Sequence, residues 1–270
     1  APKPPAGPRD WWNHSARMYE QLEPSWRHHA ELQFSGVNVN GNDNGFSLRG
    51  GAKLYSRSNV WTNELTANID RRRIFQAGGA VNQRDYRILQ ESVRYDLTPR
   101  VYASGGFILE RDDVNFIDRR TTALAGLGTY LVDNARVRIN LFGGLGRLRE
   151  TYMDPVPALI GIDGRSSGLL YLYETVDWQL SEDWSVQQGF RHMRDLSESG
   201  HYVPDPTRPG LYRADSRVKR YRNVASAGLT YQLSPRSTVS LVVESRYDSN
   251  PWPDVRPHDI TRRLMFNLLY

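Results

Sequence analysis

From residue 238 to residue 248 the chain reads TVSLVVESRYD, with hydrophobic and polar side chains in alternation. Val239, Leu241, Val243 and Tyr247 share one face, and Ser240, Glu244, Arg246 and Asp248 share most of the other. A period of two marks a strand with one apolar and one polar side. The pattern recurs almost everywhere after residue 25, and helical spacing almost nowhere. It predicts about twelve strands, near 26–40, 43–55, 60–74, 82–97, 100–113, 120–132, 135–152, 167–181, 184–196, 219–233, 237–249 and 258–270. Most exceed the roughly 5–6 residues common in soluble domains.

The connections sort by length. Short turns fall near 56–59, 98–99, 133–134, 182–183 and 234–236, and longer Gly/Pro/Asp-rich loops come between them. That alternation predicts an all-β fold, an antiparallel transmembrane β-barrel with short periplasmic turns and long extracellular loops. One turn phrase recurs as YDLTPRVY (95–102), YLVDNARVR (130–138), WQLSEDWSV (178–186) and YQLSPRSTVSL (231–241). Its aromatic, Tyr95, Tyr130, Trp178 or Tyr231, is expected in the girdle at the periplasmic interface.

One face of each strand tests the idea. Val101, Ala103, Gly105, Phe107 and Leu109 lead to Arg111, and Val137, Ile139, Leu141, Gly143 and Leu145 lead to Arg147 and Arg149. Similar runs end in Arg71 and Arg73, in Arg87, and in Arg194. Roughly nine residues of apolar face match the approximately 9–11 that a tilted strand needs to cross a bilayer. The arginines beyond it form a collar suited to the phosphates of lipopolysaccharide. Glu91, Glu174 and Gln188 break the apolar face. Either bulges shift the register there or the phase is misread.

The opposite face carries Arg49, Lys53, Glu64, Arg94, Glu110, Arg136, Arg138, Asp177, Arg191, Arg222, Glu244 and Arg246. Such charges suit a lumen and would be costly in a dry core. They read either as a channel lining, with Arg136, Arg138 and Arg222 favouring anions, or as an ion-pair network that stiffens the wall.

Composition removes other classes. The mean hydropathy is −0.61, and no run approaches the ~18 apolar residues of a spanning helix. Cysteine is absent, which excludes disulfides and thiolate metal sites. A net charge of +5 over 270 residues is too mild to point to nucleic acid. Residues 1–24 form a separate segment, a Pro-rich spacer followed by DWWNHSARMYEQLE, a candidate short helix at the periplasmic side. Residues 25–270 form the barrel. The opening APKPPAGPRD carries no signal-peptide pattern, as expected of a processed exported chain and equally of a cytosolic one.

Residues 95–152 hold the Tyr-x-Leu-Thr turn, the loop ERDDVNFIDRR and the strand segments GLGTYLVD and GGLGRLRETY. With SGVNVNGNDNGFSLRGG (35–51) and SRYDSNPWPDVRPHD, this stretch resembles the YdiY-like family of outer-membrane proteins, a salt-induced group with a domain of unknown function. The resemblance implies an outer-membrane barrel of a Gram-negative bacterium and brings no catalytic residue. The segment RDWWNHSARMYEQLEP and the loop 199–217 have no counterpart in it. In LMFNLLY, residues Leu264, Phe266, Leu268 and Tyr270 share one face and end in an aromatic, as the barrel-assembly machinery would read.

A search for chemistry finds only weak constellations. His192 lies near Ser197, Ser199 and His201, and His258 adjoins Asp259, with no motif around either. Glu110, Asp112, Asp113 and Asp118 lack EF-hand spacing and sit beside Arg119 and Arg120, so loop ion pairs are expected rather than calcium. His28 and His29 alternate faces and cannot share a metal. No catalytic residue, metal or cofactor is predicted. The expected function is a narrow passive channel, the alternative a closed barrel anchoring an envelope complex through residues 1–24 or the long loops, and the remotest reading a lipid-modifying enzyme.

Overall fold

A computed structural model describes residues 26–269 apart from 41–44, 59, 76–80, 114, 198–200, 216–218 and 250–256. The N-terminal segment and Tyr270 therefore lie outside the described residues. Twelve long strands close into one antiparallel barrel. They are β1 (Arg27–Asn40), β2 (Gly45–Arg57), β3 (Trp61–Phe75), β4 (Val81–Asp96), β5 (Val101–Asp112), β6 (Ile117–Asp133), β7 (Val137–Tyr152), β8 (Gly164–Gln179), β9 (Trp184–Asp195), β12 (Tyr221–Ser234), β13 (Ser237–Asp248) and β14 (His258–Leu269). Each pairs with its sequence neighbour, β9 pairs with β12, and β1 with β14 closes the ring, Phe34 facing Phe266. Closure leaves no strand edge, which a sheet in hydrocarbon requires.

Two elements depart from the sequence expectation. The loop between β7 and β8 contains a short helix, α1 (Val156–Ile160), ending at Gly161 with φ +73°. The loop between β9 and β12 contains a small hairpin, β10 (His201–Pro204) with β11 (Tyr212–Asp215). Both were read as plain loops because each is too short to show a period.

The recurrent turn has one physical cause. In the turns after β2, β4, β6 and β8, the residues Ser58, Thr98, Asn134 and Ser181 each donate their backbone N–H to the carbonyl three residues on. Their side-chain oxygens accept from backbone amides two or three residues on, as with Thr98 Oγ1 from Val101 N at 2.9 Å and Asn134 Oδ1 from Val137 N at 2.8 Å. Ser234 plays the same part for Arg236 after β12. A short polar side chain at this place replaces ladder bonds that the turn gives up. The flanking aromatics pair on the outer surface, Trp61 with Tyr95 at 4.7 Å and Trp184 with Tyr231 at 4.8 Å.

Tyr130 is the exception. Tyr130 continues the inward phase of Arg120, Thr122 and Gly128 on β6, and the register shifts only after it, between Tyr130 and Val132. Tyr130 therefore points inward, 3% exposed, and Leu131 takes the outer position. Its ring joins Tyr102, Phe142 and Tyr171 in an aromatic cluster on the inner wall.

Candidate functional site

The outer surface is apolar around the ring. Leu32, Leu48, Leu65, Leu89, Phe107, Leu127, Leu145, Leu172, Phe190, Leu229, Leu241 and Leu264 are all exposed. So broad an apolar band far exceeds what a protein can leave in water, and its solvent is lipid. Among the described residues no helix could span a membrane, so the strands do. Within this band Glu91, Glu174 and Gln188 face outward. Their strands run in continuous register, Glu91 opposite Leu65 and Phe107, Glu174 opposite Leu141 and Phe190, and Gln188 opposite Val176 and Ala227. No bulge carries them inward, so the apolar phase holds and three polar side chains interrupt it.

Arg71, Arg73, Arg87, Arg111, Arg147, Arg149 and Arg194 are exposed on the outward face near the loop end. Acids lie among some of them. Asp85 pairs with Arg87 at 3.1 Å, and Arg111 pairs with Asp113 at 3.1 Å and Asp118 at 3.6 Å. Leu264, Phe266 and Leu268 share the outward face of β14.

The inner wall divides by chemistry. Tyr102, Phe142 and Tyr171 pack together on β5, β7 and β8, and the Tyr102 hydroxyl donates to Asn140 Oδ1 at 2.8 Å. Arg94 lies over the rings of Tyr102 and Tyr130, 5.4 and 5.5 Å from their centroids. Toward the turn end Arg57 and Arg94 bracket Asp96, and Arg138 pairs with Asp177.

Toward the loop end an ion-pair belt spans strand after strand. Arg120 joins Glu110 at 3.5 Å to Glu150 at 2.6 Å, and Arg165 joins Glu150 at 2.6 Å to Asp195 at 2.8 Å. Arg220 lies 3.7 Å from Glu150 and pairs with Asp248. Glu150, 1% exposed, is the node of three guanidiniums. A second group on β13 and β14 sets Glu244 between Arg246 at 2.7 Å and Arg263 at 2.8 Å. Arg246 reaches across the lumen to the Tyr86 ring, 5.4 Å from its centroid, and the Tyr86 hydroxyl donates to Glu110 at 2.9 Å.

Eleven of the predicted lumen residues lie on inward positions of their strands. Arg136 does not, since it sits exposed in the turn after β6, its amide bonded to Asn134 Oδ1. Sequence reasoning missed Arg57, Asp96, Arg120, Glu150, Arg165, Asp195, Arg220 and Arg263 as members of the network. The inward phase of Asp96, Glu150, Asp195, Arg220 and Arg263 was readable, whereas Arg57 and Arg165 fell in an expected turn and loop and Arg120 on a strand whose two faces look alike. The joining across strands was readable for none.

The weak constellations disperse. His192 faces outward and contacts Asn223 Oδ1 at 2.7 Å, while Ser197 Oγ contacts Ser167 Oγ at 2.7 Å. The side chains of Ser199 and His201 lie outside the description. His258 Nε2 contacts Ser245 Oγ at 2.7 Å on the outer face, and Asp259 occupies the opposite, inward phase. No carboxylate orients that His among the described residues. Glu110 and Asp112 point inward while Asp113 and Asp118 engage Arg111, and the described residues contain no metal-binding group of three or more such ligands.

Architecture and lining together define a membrane-spanning β-barrel of the outer-membrane class. The chain belongs to a family described as protein of unknown function, DUF481, whose model matches residues 32–202. No curated protein matches it. Among solved structures it is similar to the NanC porin, at TM-score 0.55 and 10% identity over 88% of this chain and 98% of that one. It is similar also to an outer-membrane channel from Pseudomonas putida F1, at TM-score 0.50 and 9% identity over 92% and 96%. At such identities the likeness is one of fold.

Proposed function

We propose that the chain is a narrow passive channel in the outer membrane of a Gram-negative bacterium, open to small polar solutes and ions. The observation that carries this reading is the file of partly exposed charges inside the barrel. Lys53, Glu64, Asp177, Arg191 and Arg246 all keep some exposure although they point to the axis. Eight strands enclose a space just filled by side chains, and twelve enclose more. The ion-pair belt at the loop end is the constriction. Outside, the arginine collar meets outer-leaflet phosphates, and β14 presents the assembly machinery with its apolar face.

Planar-bilayer recording tests the channel. Folded protein, verified by heat-modifiable gel mobility, is expected to give small discrete conductance steps. Silent bilayers with folded protein would overturn the reading. The second reading, a closed barrel anchoring an envelope assembly, draws on the burial of the Glu150 node and would place the contact surface in residues 1–24 or the long loops. Silence in the bilayer would favour it.

A further inference from the structure

The geometry points to an oxyanion-binding site on the lumen wall at Arg191 and Arg222, taking a phosphate or carboxylate group. Arg191 on β9 faces Val224 on β12, and Arg222 on β12 faces Met193 on β9. The two arginines are thus diagonal neighbours on one face, within reach of each other for long side chains. Val224 also faces Arg246 on β13, so a third guanidinium flanks the pair.

Arg246 is matched by Glu244 and by the Tyr86 ring. Arg191 and Arg222 have no such match among the described residues. Arg191 Nε and Arg222 Nη2 are buried with no hydrogen-bond partner, and Arg222 is only 9% exposed. Nearby acids are already engaged, Glu110 by Arg120 and Tyr86, Glu150 by Arg120 and Arg165, and Asp248 by Arg220. Arg49, on β2, extends the surplus. Its Nε is likewise buried without a partner, and it makes no ion pair with Asp70, opposite it in the β2–β3 register.

A guanidinium cannot relieve this crowding by losing its proton. Like charges on neighbouring positions of one wall repel, and an anion from solution would supply the counter-charge that the already ion-paired acids do not. The donor forks of guanidinium suit the paired oxygens that phosphate and carboxylate share. Arg49 then offers a further cation to an anion leaving the pair. The inference deepens the channel reading, because the solute must reach the lumen.

The test uses the whole folded barrel in detergent, titrated calorimetrically with inorganic phosphate and separately with succinate, at constant ionic strength in chloride. Saturable binding of at least one probe is expected. The double variant Arg191→Gln/Arg222→Gln should weaken it tenfold or more, while Arg236→Gln, in an exposed turn, binds as wild type. Which probe binds identifies the oxyanion class. Absence of saturable binding by both probes, or a double variant that binds like wild type, would overturn the site. Should the double variant not fold, phenylglyoxal modification of wild type gives the answer. The bound probe should slow reaction at Arg191 and Arg222 severalfold and not at Arg236, and equal rates with and without probe would overturn the site. Conductance recorded on the same sample separates the two claims. Binding without steps retires the channel and keeps the site, and steps without binding do the reverse.

Discussion

At the scale of single residues, the network turns on Glu150. Its two oxygens receive Arg120 and Arg165, and Tyr152 donates to it at 3.3 Å. Removing its charge would leave three buried guanidiniums without their shared partner. Glu150→Gln is expected to lower unfolding stability in lipid vesicles by about 3–5 kcal/mol, the usual cost of breaking a buried pair. Asp113→Asn, at an exposed pair, should cost no more than about 1 kcal/mol. Urea titration followed by gel mobility measures both, and equal effects would refute the nodal role. A second carboxylate answers to pH. Asp205, in the turn of the β10–β11 hairpin, is held down to about 2 by the hydroxyl and amide of Thr207 and by Arg208. Its folded value lies below the unfolded one, so its contribution is present above about pH 4 and fades as pH falls toward 2. Exchange of the Thr207 amide should stay slow down to about pH 3 and quicken below it. A carboxyl titrating at the ordinary ~3.9 would contradict this.

Whole strands show why β6 carries a glycine at position 128. Gly128 faces Tyr102 on one side and Phe142 on the other. Those two rings stack over the gap with centroids 6.3 Å apart, and a methyl at Gly128 would lie 2.1 Å from the Tyr102 ring. The aromatic covers what the glycine leaves open. Gly128→Ala is expected to cost about 1–3 kcal/mol by displacing that ring. Gly50, on the outer face, has nothing within 4 Å of its missing methyl, and Gly50→Ala should stay within about 0.5 kcal/mol. Comparable losses at both positions would show that strand stiffness, rather than ring packing, sets the cost. The sequence hid this, because the two faces of residues 120–132 have similar composition and only the register assigns the rings.

For the molecule as a whole, the solvent of the outer face decides stability. Glu91 and Glu174 stand in the apolar band with no ion pair among the described residues. A carboxyl facing lipid is unfavourable, though less so than a lysine or arginine. Glu91→Leu and Glu174→Leu are each expected to raise stability in phospholipid vesicles, by about 1 kcal/mol. Denaturant unfolding in vesicles checks this, and a loss of stability would mean these carboxyls have a partner in the membrane.

Alternation alone was enough to establish strands, their two faces, the apolar band and the segregation of turns from loops. Each of these is a local consequence of a two-residue repeat meeting two different solvents. The tertiary structure decided what lies beyond the repeat. The phase of β6 places Tyr130 in the lumen rather than the girdle, and one turn position takes Arg136 off the wall. Register between strands determines that Glu150 gathers three arginines while Arg191 and Arg222 make no ion pair among the described residues. Ion pairing depends on which side chains closure brings together, and Glu150 is far along the chain from Arg220. No pattern of spacing along one strand carries that information, because a cation looks the same in sequence whether or not an acid stands beside it.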